Sequence, residues 1–123
     1  MNEETAEPAN EETAEPANER IYHLALVRDL EAARAAGDYR VSSLGMTLAQ
    51  EGFIHASRAD QWEGVRQRFY SGVTEPLVLL VINPDLLTAP LVVEEAPGTG
   101  EAFPHIYGPL NLGAVVETRR VDQ

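Results

Sequence analysis

The segment "PLVLLVI", residues 76–82, is the longest uninterrupted apolar run in the chain. It has neither the alternation of a half-buried strand nor the spacing of an amphipathic helix. It is also far shorter than the roughly 18 to 20 residues a membrane-spanning helix needs. A run of this kind reads as a fully buried strand, covered on both faces. The chain has 123 residues, which suits one domain with one core built around such a strand.

The flanking segments supply the cover. "IYHLAL" at 21–26 reads as a strand. "VRDLEAARAAGDY" carries Val, Leu and Ala at helical spacing, with Asp29 near its start and Gly37 as a stop signal. "FIHAS" at 53–57 reads as a short strand. "RADQWEGVRQRFYSG" places Trp62, Val65, Phe69 and Tyr70 on one helical face, with an end near Gly72. "NPDLL" is a turn that opens a short helical turn, "APLVVEE" a strand, "APGTGEAFPH" a loop rich in Gly and Pro, and "GAVVETRRV" a final alternating strand. Two helices near the start followed by several strands predict a single α+β domain. Its sheet is expected to be mixed and mainly antiparallel rather than doubly wound and parallel.

Residues 1–19 stand apart. "NEETAEPA" occupies 2–9, recurs at 10–17, and "NE" begins a third copy. The octamer has no large apolar side chain to offset the entropy of ordering, so a disordered acidic tail is expected before a folded domain at 20–121. The tail holds seven of the 20 acidic residues and none of the 9 basic ones, all of which are Arg. The net charge of −11 is therefore largely a property of the tail. A body with no basic surplus makes nucleic acid an unexpected partner. The absence of cysteine excludes disulfides, thiolate catalysis and Cys-type zinc sites. A polar, acidic start is not a secretory signal, and a cytoplasmic location is expected. The oligomeric state is left open, with a monomer favoured.

The three histidines, His23, His55 and His105, all lie inside apolar, strand-like runs. A buried imidazole needs a partner for each ring nitrogen, so a purely structural core tends to avoid several of them. Convergence on one cleft is the alternative to three satisfied core residues. In an extended 52–57, Phe53, His55 and Ser57 share a face; in an extended 104–108, His105 and Tyr107 do. A surface of His23, His55, Ser57, His105 and Tyr107 would suit ribose hydroxyls, a carbonyl or a planar base. A three-histidine zinc site is disfavoured by separations of 32 and 50 residues, and no metal is expected. No GxSxG, GxGxxG or P-loop pattern is present.

"IYHLAL", "EGFIHAS", "LVLLVINP" and "FPHIYGPL", in this order, resemble the bacterial domain-of-unknown-function 952 family over about residues 20–121. The fold associated with that family is similar to ADP-ribosyltransferases and NAD-dependent RNA 2'-phosphotransferases, which hold NAD on a split, mainly antiparallel sheet. The resemblance implies NAD, or a related nucleotide, as the small-molecule partner. It implies His23 at the adenosine-side ribose and His55 and Ser57 beside the nicotinamide ribose. His105 or Tyr107 falls where many transferases carry a catalytic Glu, so His55, His105 and Tyr107 are the candidate catalytic residues. Phe53 or Tyr107 is a candidate stack for the leaving ring, Gln61 opens the helix behind the site, and Arg40, Arg58, Arg66 and Arg68 could grip a phosphate. No Glu occupies the last motif, and Glu101 lies in the loop. The expected function is therefore an ADP-ribosyltransferase-like protein that binds NAD or a related nucleotide and transfers an ADP-ribosyl or phosphoryl group. The alternatives are a catalytically inactive nucleotide or metabolite-binding module, and a scaffold with structural histidines.

Overall fold

A computed structural model describes residues 19–121. The acidic repeat expected to be disordered lies, but for Glu19, outside the described residues. The elements run β1 (Ile21–Leu26), α1 (Val27–Ala36), β2 (Asp38–Tyr39), β3 (Val41–Ser43), β4 (Met46–Thr47), α2 (Leu48–Glu51), β5 (Ile54–His55), α3 (Trp62–Phe69), β6 (Leu77–Ile82), a 3-10 turn (Pro84–Leu86), β7 (Leu91–Glu95), β8 (Ala102–Ile106), β9 (Leu110–Asn111), a second 3-10 turn (Leu112–Ala114) and β10 (Val115–Val121). Each pairing of these strands is antiparallel. The single α+β domain with antiparallel sheets agrees with expectation. The helix count does not: a one-turn helix, α2, joins the two foreseen.

All six residues of β6 are buried, and β6 lies between β10 and β1. Its side chains alternate between two cores. Val78, Leu80 and Ile82 meet Ile21, Ala25, Leu30 and Tyr39, whereas Leu77 and Leu79 meet Leu24, Leu26, Val65, Tyr70 and Phe103. Each such side chain contributes about 1.5–3 kcal/mol when fully buried, so this strand anchors the fold.

The second three-stranded sheet runs β5-β8-β7. It meets the first at one bridge, where Tyr22 N–H donates to the Ser57 carbonyl at 2.7 Å and Ser57 N–H to the Tyr22 carbonyl at 2.8 Å. Here two expectations are corrected. "FIHAS" gives only a two-residue strand, because the chain leaves β8 after Ala56, whose N–H donates to the Pro104 carbonyl, and Ser57 pairs with Tyr22 instead. "APGTGEAFPH" is a loop only as far as Glu101; Ala102–Ile106 is the central strand of this sheet, with Pro104 tolerated there. The hairpin of β3 and β4 was not foreseen, since "VSSLGMT" is too polar to read as a strand. Helix α3 ends at Phe69, ahead of the expected stop. Among the described residues no helix is long and apolar enough to cross a membrane.

Candidate functional site

"EGFIHAS" is built as a corner. Thr47 caps α2 through a reciprocal capping box with Gln50, and Gly52 ends the helix at φ 94°. That left-handed turn is easy for glycine and strained for other residues. It delivers Phe53 and His55 to one face of the second sheet. Antiparallel register sets His55 opposite His105, and His105 in turn lies opposite Val92 with Phe103 opposite Glu94. The same face therefore carries Phe53, His55, Phe103, His105, Tyr107 and Glu94.

The side chains pack as that register requires. The Phe53 ring stacks on His105 at 3.9 Å between centroids and 9° between planes. His55 is tilted against Phe103 at 5.0 Å and His105 at 5.5 Å. His105 Nδ1–H donates to Glu94 Oε1 at 2.7 Å, and the Tyr107 hydroxyl donates to the same oxygen at 2.6 Å. Those two donors hold the Glu94 carboxyl below the usual carboxylate range, and the carboxylate raises Tyr107. The Glu94 bond fixes the His105 proton on Nδ1 and leaves Nε2 as the acceptor. His55 makes no ring hydrogen bond among the described residues. Burial, then the neighbouring His23 and His105, lower it to about 4, so it is neutral near pH 7.

Two adjoining cavities share Phe53, His55, Val65 and Phe69 as walls. The larger, about 700 Å³, extends over His105, Phe103, Glu94, Glu101 and Arg68. The smaller, about 350 Å³, extends to Ser42, Glu51 and Tyr70. Phe69 was expected in the core but is 64 % exposed and overhangs the groove where the cavities meet.

Of the residues singled out in the sequence, Phe53, His55 and His105 line this groove, and Tyr107 braces it through Glu94. Arg68 and Glu101 line its larger branch, whereas His23, Ser57, Gln61, Arg40, Arg58 and Arg66 line neither cavity. His23 lies on the face of β1 with Ile21 and Ala25, is 3 % exposed, and has both ring nitrogens engaged. Its Nδ1–H donates to the His55 carbonyl at 2.6 Å, and Nε2 accepts from the Tyr39 hydroxyl at 2.9 Å. His23 is thus a neutral strut that sets the His55 backbone, and burial lowers it to about 4. Ser57 is buried at the bridge between the sheets. Gln61 ties α3 to β8: its Oε1 accepts from Arg58 N–H and its amide donates to the Ala102 carbonyl at 2.8 Å. Arg40 is exposed and paired with Asp38 at 2.9 and 3.0 Å. Among the described residues no group of three His, Cys, Asp or Glu could hold a metal ion.

Glu94 and Ser42 escaped the sequence reading. Glu94 had a signal: counting outward from the "PGTG" turn pairs residue 94 with 103, and so puts its carboxylate on the His105 face. Ser42 had none, because its hairpin was invisible.

Residues 25–118 match the model of a family described as Protein of unknown function (DUF952). The chain is also similar to CC0527 from Caulobacter crescentus. With its crystal structure it shares 30% identity at a TM-score of 0.72, over 84% of this chain and 86% of that one. With the solution NMR structure of CC0527 it shares 28% identity at a TM-score of 0.63, over 84% of each chain. The comparison with curated proteins gave no match.

Proposed function

From the premise that the chain belongs to the DUF952 family, whose description leaves the activity open, we propose that the groove binds the nicotinamide–ribose end of NAD, or of a related nucleotide, on an ADP-ribosyltransferase-like fold. The observation that carries the proposal is the convergence of Phe53, His55, Phe103 and His105 on one cavity of about 700 Å³. Flat aromatic and imidazole faces with a neutral ring nitrogen to spare suit a planar heteroaromatic ring and its sugar hydroxyls.

The electrostatics fit one end of NAD better than the other. Glu94, Glu95 and Glu101 line the larger cavity and favour a positively charged ring. Arg68, the sole Arg among the residues lining it, is the candidate partner for a diphosphate. Phe53 and Phe69 would flank the ring, and one of the two ring nitrogens of His55 would hydrogen-bond the ribose. His105, its proton fixed on Nδ1 by Glu94, would accept a proton at Nε2 from an acceptor hydroxyl. NAD itself supplies the reactive bond between nicotinamide and ribose.

A second reading, a binding module without turnover, is favoured by one observation. His23, which the family resemblance assigns to the adenosine ribose, has no ring nitrogen free to take it.

Titration with NAD, nicotinamide and ADP-ribose, followed by two-dimensional NMR of the three histidine rings, tests the proposal. His55 and His105 are expected to shift together while His23 stays fixed. If no ring moves with any of the three, the nucleotide reading fails. Release of nicotinamide on incubation with NAD then separates transferase from binding module.

A further inference from the structure

The smaller cavity contains a group that the fold leaves unanswered. Ser42 sits in β3 at the irregularity that shifts the register between Val41 and Ser43, and it lines the cavity beside Ser43 and Leu44. It is 1 % exposed, and its Oγ is the buried side-chain polar atom that lacks a hydrogen-bond partner among the described residues. Native folds rarely tolerate this, because an unsatisfied buried hydroxyl costs free energy. The ring of His55 lines the same cavity and is likewise without a hydrogen bond among the described residues.

We propose that Ser42 and His55 together recognise an uncharged planar group with both a carbonyl and an N–H, of the primary-amide or lactam type, and discriminate against carboxylates. A hydroxyl and a neutral imidazole offer two donors and matching acceptors. An amide satisfies both kinds at once. A carboxylate offers acceptors only, and no Lys or Arg lines this branch to balance its charge, while Glu51 opposes it. Stripping a carboxylate of water there would go uncompensated. An ammonium offers donors only and would face the His55 N–H. The surrounding Leu44, Phe53 and Phe69 suit an aromatic or aliphatic carrier for the amide. This inference rests on the groove being a ligand site, but not on the ligand being NAD.

The test uses the full chain at pH 7, with nicotinamide, nicotinate and pyridine as probes and the His55 ring resonance as readout. Nicotinamide is expected to bind about 10-fold more tightly than either of the others, the worth of about one well-made buried hydrogen bond. Ser42→Ala is expected to remove that preference, while the unliganded variant melts at the same temperature as the parent or higher. A structural hydroxyl would behave oppositely: the variant would melt lower and bind nicotinamide as the parent does, which overturns the proposal. Equal binding of nicotinamide and nicotinate overturns it too, and leaves the nucleotide reading standing if NAD binds. Selection of the amide with no added affinity for NAD keeps this inference and sinks the nucleotide reading. Binding of none of nicotinamide, nicotinate, pyridine and NAD overturns both.

Discussion

The carbonyl of His55 takes the ring proton of His23, so one histidine faces a ligand while another holds its peptide in place. Both are lowered to about 4, chiefly by burial. An unfolded chain binds those protons near pH 6.5, so the folded state's advantage is fully present above pH 6.5 and is lost as pH falls toward 4. Stability measured by urea titration should fall by up to about 1.4 kcal/mol per pH unit for each of the two rings across that window. Asp38, Glu75, Glu94 and Glu117, all lowered, contribute above their usual pKa values and lose that contribution only at more acid pH, below most of this window. His23→Gln should flatten the slope by one proton. His23→Ala should lower stability by about 3 kcal/mol, because the buried Tyr39 hydroxyl and the His55 carbonyl both lose their partner. No flattening of the slope in His23→Gln would refute the buried, neutral assignment. The sequence made the three histidines conspicuous, and strand parity already turned His23 away from Tyr22. Which side of β1 faced the groove depended on where α3 packs, and no pattern within β1 carries that.

Among the elements, the least conspicuous does much of the positioning. Helix α2 is one turn, too short to persist on its own propensity. It is held by the capping box at Thr47 and the left-handed turn at Gly52, one residue before Phe53. Thr47→Ala should cost about 1 kcal/mol, read from the shift in denaturation midpoint, and should broaden the Phe53 ring signals as the corner loosens. Unchanged stability would show that the cap does not hold the corner. Long apolar segments such as β6 were legible because burial on both faces leaves a mark on every residue. Helix α2, β2, β3 and β4 were not, because two to four residues are too few to show a period. Their shape is set by caps, turns and neighbours. β8 was hidden for another reason: "AFPH" carries a proline, which argues against a central strand, yet the fold accommodates it.

At the scale of the whole molecule, the second three-stranded sheet, tied to the first at Tyr22 and Ser57, forms one side of the groove, with α3 and Phe69 on another. The fold class was readable from the order of elements. The groove was readable only in part, because its walls come from β3, β5, β7, β8 and α3, and no local pattern announces their meeting. The chain from Tyr39 hydroxyl through His23 to the His55 carbonyl has a consequence for the molecule as a clock. It seals two labile protons away from solvent. In proton NMR they should give resolved signals that persist at neutral pH. After transfer to deuterium oxide, those signals should decay at the rate of the slowest amides of β6, the strand at the centre of the core. Decay with the fast amides of the loop at 96–101 would instead mean that this corner opens on its own, independently of the rest.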